Sequence, residues 1–255
     1  MGLVGSIGPD FEARFRTAMA GYGVDVLTAK PAHATGGFRL VYDVKGNRTL
    51  DVLGVASHLD VEDLPPACFE AKTLLIAPIL QEIGLPLMKR LRAETDAPIF
   101  LDPQGLIREM DDDGRIRSVC DTDTAATLTS LVDVIKPNEH EARVLTGVES
   151  PYTAVRVLTE WGARISIVTL AERGSLVGKG HNFMRIPPYT TTDIDPTGAG
   201  DTYIGAFITK YLEGKSIFEC GVFASAAASI KVEHSGPDFP LTYAEASRRM
   251  HQLLG

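Results

Sequence analysis

Asp195-Pro196-Thr197-Gly198-Ala199-Gly200-Asp201 leads without a break into TYIGAFITKYLEG, residues 202–214. Tyr203, Ile204, Phe207, Ile208, Tyr211 and Leu212 recur at helical spacing, which predicts a helix that buries that side. Gly214 supplies the stop signal. A loop of small residues at a helix N-terminus presents backbone N–H groups that the helix cannot use, with no side chains in the way. With the positive end of the helix dipole, these groups make a site for phosphate or another anion. Asp201 falls in the first turn, where the dipole favours its ionised form. A carboxylate beside an anion hole is placed to accept a hydroxyl proton. A tight turn whose acidic residue serves only the dipole would give the same Gly-x-Gly pattern. Two other phosphate patterns are absent: there is no GxxxxGK[ST], and after Gly198 and Gly200 the next glycine is Gly205, too late for GxGxxG.

Upstream of this turn, short β-rich runs alternate with amphipathic stretches. Residues 73–79, 97–102, 133–137 and 165–171 read as buried strands, and 80–93, 122–131, 138–146 and 150–162 as helices. Such alternation predicts an α/β fold with a mostly parallel central sheet covered by helices on both faces, a three-layer arrangement. No repeat, low-complexity tract or long linker divides the 255 residues, so residues 1–255 are expected to form a single domain. One region departs from the rhythm. Residues 38–57, FRLVYDVKGNRTLDVLGVAS, contain two strand-like runs around Lys45-Gly46-Asn47, a hairpin signal. A hairpin over 36–57 projecting from the main layer would serve as a lid or a dimer contact, and an ordinary edge hairpin fits equally well.

A net charge of −8 and a pI near 5.3 argue against duplex nucleic acid as the main partner, while leaving room for a local basic pocket. Cys68, Cys120 and Cys220 are far apart and odd in number, and read as reduced, mostly buried thiols of an intracellular protein. No apolar run is long enough to span a membrane, and the expected location is cytoplasmic. His33, His58, His181 and His251 share no ligand spacing, so no zinc site is expected.

Three further segments carry candidate chemistry. Asn138 closes a strand as a good N-cap, and Glu141 three residues on completes a capping-box pattern; a carboxylate there also suits a hard cation carried by a nucleotide. Ile165 to Ser175, ISIVTLAERGS, is a buried strand followed by a turn. In Ala97 to Arg108, Asp102 and Gln104 lie at the C-terminal end of a strand, where open α/β sheets place ligands. The planar fork of Arg108 suits phosphate, although surface exposure is the commoner fate of such a residue.

The string Asp-Pro-Thr-Gly-Ala-Gly-Asp, followed by an aromatic residue and Gly-Ala-Phe, closely resembles the C-terminal signature of the ribokinase (PfkB) sugar-kinase family. That resemblance implies a ribokinase-like fold with a small β lid, and ATP-dependent phosphorylation of a hydroxyl on a small sugar or polyol. It makes Asp201 the catalytic base and the amides of Gly198, Ala199 and Gly200 the anion hole, with Thr197 beside the nucleotide phosphates. Asn138 and Glu141 resemble the family's Asn-x-x-Glu motif, which places Mg²⁺ and phosphate through water. Thr169 and Gly174 match the loop beneath the nucleotide, with Ala171 where the family usually has Gly. Arg108 is implied as a phosphate contact, and Asp102, Gln104 and Phe38 as substrate contacts. The segments 97–108, 78–83 and 229–237 are similar to plant and archaeal myo-inositol kinases within the family, and a homodimer through the hairpin is implied by the same likeness.

Residues 3–10, LVGSIGPD, look like the family's second strand region. Its earlier strand, with a substrate-gripping Asp and a Gly-Gly turn, has no counterpart. Two alternatives accompany the polyol kinase: a nucleoside kinase of the same family, and, given that difference, a catalytically inactive relative that binds nucleotide or ligand.

Overall fold

Helix-start signals and short apolar runs set the local structure along the chain. The computed structural model describes residues 1–42 and 48–255, which divide into two compact units, Met1–Val134 and Ile135–Gly255.

In the first unit, β1 (Gly2–Ile7), α1 (Glu12–Gly21) and β2 (Asp25–Pro31) form a strand-helix-strand crossover, with β1 and β2 parallel. β3 (Gly37–Tyr42) and β4 (Arg48–Gly54) pair antiparallel, Phe38 opposite Val52, so the expected hairpin strands are present. The Lys45-Gly46-Asn47 turn predicted between them lies outside the described residues. β5 (Leu74–Ile76), α2 (Leu85–Glu94) and β6 (Ile99–Leu101) repeat the parallel crossover. The helix expected over 80–93 starts only at Leu85. Before it, the Glu82 carboxylate accepts the amides of Ile79 and Leu80, both at 2.8 Å, which ties the chain into a turn. Pro86 then takes a first-turn position, where its missing N–H costs nothing. β7 (Arg108–Met110) and β8 (Ile116–Ser118) add an antiparallel pair that no periodicity announced. α3 (Thr122–Ser130) is capped by Asp121, whose carboxylate accepts the Thr124 amide at 2.9 Å. The chain then runs alongside β6. The Asp133 amide donates to Ile99 O, and the Asp133 carboxylate accepts the Ile99 amide, each at 2.9 Å.

β9 (Val134–Ile135) leads into the second unit. α4 (Glu139–Thr146), α5 (Pro151–Glu160), β10 (Ile165–Thr169), β11 (Ser175–Lys179), β12 (Asn182–Ile186), α6 (Ala199–Leu212), α7 (Ile217–Val232) and α8 (Tyr243–Leu254) follow. The Thr169 amide donates to Pro137 O at 3.1 Å, in parallel sense, whereas β10–β11 and β11–β12 are antiparallel. Strand alternation shows that helices cover both faces of this sheet. Ser166, paired with Gly178, meets Thr159 of α5 at 3.1 Å; Ser175, three residues from Gly178, faces the other way and meets Tyr203 of α6 at 2.8 Å.

On α6, Tyr203, Ile204 and Phe207 are buried as expected, but Leu212 is 50% exposed and Lys210 is buried instead. The reason is aromatic: the Lys210 ammonium lies over the rings of Tyr243 and Phe223, 4.4 and 4.7 Å from their centres. All three cysteines are free, Cys68 and Cys220 buried and Cys120 half-buried. Burial pushes the thiols of Cys120 and Cys220 up to about 11. Among the described residues, no helix is long and apolar enough to cross a membrane.

Candidate active site

The turn that opens α6 is held by bonds within itself and by the end of α7. The Asp195 carboxylate accepts the Thr197 amide at 3.0 Å, and the Ala199 amide donates to Pro196 O at 3.1 Å. Behind them, the amides of Ile194 and Asp195 both donate to Val232 O at the end of α7, at 2.7 and 3.0 Å. Gly198 is the N-cap residue, with φ of +84°, a conformation that side-chain-bearing residues rarely adopt. The amide and hydroxyl of Thr202 both donate to Gly198 O at 2.9 Å and close the first helical turn. Of the amides expected to form the anion hole, that of Ala199 is thus engaged inside the turn. The Gly200 amide is one that helix geometry leaves without an intrahelical acceptor. Asp201 stands exposed in the first turn, as its spacing predicts, and Thr197 is exposed beside it. The Thr197 amide, and to a lesser extent the Lys231 charge, hold the Asp195 carboxyl below the usual range.

Two lysines flank this turn, each only 3% exposed. Lys136 follows β9, and its Nζ lies 3.1 Å from where a β-carbon on Gly200 would sit. Lys231, in the last turn of α7, donates to Asp195 O at 3.3 Å and His234 O at 2.7 Å, and its Cε lies 3.6 Å from a β-carbon placed on Gly198. Neither stands out by spacing. The available signal was their setting: Lys136 directly follows the apolar pair Val134-Ile135 and Lys231 sits between Ile230 and Val232, where a cation must find partners.

Asn138 and Glu141 form a reciprocal capping box. Asn138 Oδ1 accepts the Glu141 amide and a Glu141 carboxylate oxygen accepts the Asn138 amide, both at 2.9 Å. Glu141 is 7% exposed, so its carboxylate is held in one orientation at the start of α4. Thr169 ends β10, where the bridge between Asn138 and Thr169 brings the two motifs side by side. Gly174 has a φ of +83°, and a β-carbon there would lie 2.2 Å from Ile186 O. Close packing against β12 therefore accounts for this glycine. Ala171, where the family pattern has Gly, also has a positive φ, +52°.

Asp102, Gln104, Arg108 and Phe38 lie in the first unit. Asp102 is buried and its carboxylate accepts the Gln104 amide at 3.4 Å, opening a short 3-10 turn after β6. Arg108 is not a surface residue. It is 7% exposed, donates to Ile79 O at 3.2 Å and lies over the Phe38 ring, 5.3 Å from its centre. The structure thus joins these two sequence-predicted residues directly. Among the described residues, no group of three or more His, Cys, Asp or Glu could hold a metal ion. The fixed carboxylate of Glu141 has the oxygen chemistry that a hard cation such as Mg²⁺ takes.

Comparison with known proteins places this geometry in context. Residues 1–243 match the pfkB family carbohydrate kinase model. The chain is 30% identical to a cytidine kinase of Thermococcus kodakarensis over 227 residues, 86% of this chain and 77% of that protein. In fold it resembles a pyrophosphate-dependent kinase in the ribokinase family, complexed with a pyrophosphate analog and myo-inositol: TM-score 0.80, 23% identity, 97% of this chain and 85% of the other. It also resembles an Arabidopsis thaliana ribokinase complexed with ribose and ATP: TM-score 0.75, 25% identity, coverage 98% and 81%. These likenesses establish the α/β, ribokinase-like fold.

Proposed function

The chain belongs to the PfkB family of carbohydrate kinases, and from that premise we propose that it transfers a phosphoryl group from ATP to a hydroxyl of a small sugar or polyol, with Asp201 as the base. The observation that carries this reading is the junction at 198–201. There a carboxylate in a first helical turn shares the helix N-terminus with the Gly200 amide and with the Lys136 ammonium.

Asp201 takes the proton from the acceptor hydroxyl as the new P–O bond forms and the donor's bridging P–O bond breaks. The α6 N-terminus and Lys136 stabilise charge on the moving phosphoryl group. When bound, Mg²⁺ would neutralise charge on the donor phosphates. The chain's contribution to holding it is the carboxylate of Glu141, oriented by Asn138. In this reading Thr169 and Gly174 border the nucleotide, and Arg108 and Thr197 face donor phosphates. Asp102, Gln104 and Phe38 meet the acceptor, and the β3–β4 hairpin serves as the lid. The segments 78–83, 97–108 and 229–237 support a myo-inositol-like acceptor. The cytidine kinase relative supports a second reading, a nucleoside acceptor.

The test is a matrix of acceptors (myo-inositol, ribose, 2-keto-3-deoxygluconate, adenosine, cytidine) against ATP and pyrophosphate as donors. Asp201→Asn is expected to lower turnover by about 10²- to 10⁴-fold with nucleotide binding retained. Full turnover in that variant, free of contaminating kinase, would sink the mechanism.

A further inference from the structure

We propose that Lys231 is a positioning residue for phosphoryl transfer: its buried ammonium, shared by the carbonyls of Asp195 and His234, holds the 195–200 turn in the shape that binds a phosphoryl anion. This rests on the kinase reading above.

One bond separates Lys231 from an ordinary helix-end lysine. A lysine in the last turn of a helix commonly bonds carbonyls of its own terminus, and the bond to His234 O is of that kind. The bond to Asp195 O is not, because Asp195 lies 36 residues earlier and opens the glycine turn. The ammonium therefore ties the end of α7 to the start of α6. Both carbonyls present oxygen to the same point, an arrangement that repels unless a cation sits between them. Replacing the ammonium by an apolar group would push the Asp195 carbonyl away, and the turn with it.

The surroundings leave that charge facing the turn. The acceptors of Lys231 are neutral carbonyls, and the Phe239 ring lies 5.6 Å from the ammonium. The nearby Asp195 carboxylate is itself occupied, accepting the Thr197 amide at 3.0 Å and the Ser235 hydroxyl at 3.3 Å. The lysine's Cε lies 3.6 Å from a β-carbon placed on Gly198, the N-cap of α6. Lys231 thus fixes the backbone of the anion hole and adds positive potential behind it, without itself touching the acceptor.

The test compares wild type with Lys231→Met, Lys231→Arg and Lys231→Ala in the full chain. Affinity for pyrophosphate with Mg²⁺ is measured by calorimetry without acceptor, and kcat, KM and Tm are measured alongside. Lys231→Met is expected to lose about ten- to a hundredfold in pyrophosphate affinity and in kcat, the worth of one or two charge-assisted hydrogen bonds, with acceptor KM within about twofold. Lys231→Arg should keep most of both, and methylammonium should restore Lys231→Ala in a saturable way. The proposal is overturned if Lys231→Met binds pyrophosphate as wild type does. It is equally overturned if all three variants lose affinity in step with Tm and methylammonium restores nothing, or if wild type binds no pyrophosphate. If wild type binds pyrophosphate but phosphorylates no acceptor, the kinase reading fails while the affinities still decide the role of Lys231.

Discussion

The ammonium of Lys136 lies 3.1 Å from the point where a β-carbon on Gly200 would sit. That contact is too tight for an unmoved methyl group, and the partner that must give is the flexible end of a side chain. Gly200→Ala should therefore displace the ammonium without breaking the fold. Alanine is also the better helix former by about 1 kcal/mol. The expected outcome is a Tm equal to or above wild type together with a turnover lower by tenfold or more, as one charge-assisted contact is worth about 1.5–3 kcal/mol. Thermal melts and initial rates on one preparation check it. A variant with unchanged turnover would remove Lys136 from the transfer step.

The Tyr203 hydroxyl and Ser175 Oγ meet at 2.8 Å with both residues buried, and burial pushes the phenol's pKa far above 10, so it stays neutral. Tyr203→Phe leaves the serine hydroxyl without this partner and should destabilise by about 1–3 kcal/mol. Removing both groups, as Tyr203→Phe with Ser175→Ala, should cost less than the sum of the single changes. Urea denaturation of the four proteins in the cycle measures this. Strict additivity would mean that the bond contributes nothing beyond its parts.

Much of this architecture was legible because it follows from local chemistry. Gly198 and Asp201 mark the turn and first helical turn of α6, and Asn138 with Glu141 announces a capping box that the structure contains bond for bond. What could not be read was set by contacts distant in sequence. Lys210 replaces Leu212 in the core because Phe223 and Tyr243 come to it, and Lys231 matters through a carbonyl 36 residues away. Arg108 is buried because the Phe38 ring and Ile79 O meet it there. No period of 2 or 3.6 residues carries such information. The α2 boundary was missed for a local reason, since the bonds from Ile79 and Leu80 to Glu82 compete with helix formation.

Ala171 holds a φ of +52° in the turn after β10, a conformation strained for a residue with a β-carbon. Ala171→Gly relieves that strain and, in the unfolded chain, adds backbone freedom that opposes the gain. Left-handed strain of about 1–2 kcal/mol set against an entropic loss of about 0.4–1 kcal/mol gives an expected net stabilisation of about 0–1.6 kcal/mol. A rise in the midpoint of urea unfolding, with unchanged slope, is the predicted signature. A fall in the midpoint would show that the alanine methyl makes a contact worth more than its strain.

Arg249 is 8% exposed and grips Glu233 with two parallel bonds of 2.7 and 2.9 Å, while also donating to Ser229 Oγ at 2.9 Å and Glu245 at 2.8 Å. The guanidinium holds the Glu233 carboxyl below its ordinary 4.5, against burial, which pushes the other way; Thr191 and the His234 charge assist. Because the folded value is depressed, the stability that Glu233 contributes is fully present above pH 4.5 and is lost as pH falls through the folded pKa. Wild type should therefore show a steep fall in Tm as the pH drops below about 4.5 and through the depressed folded pKa. Glu233→Gln should begin lower at pH 7, by about 1–3 kcal/mol, because Arg249 loses a charged partner while keeping Glu245. Its Tm should then fall less steeply, the two curves converging in acid. Parallel curves across the whole range would mean that Glu233 does not titrate in the folding equilibrium and that the acid limb belongs to other carboxylates.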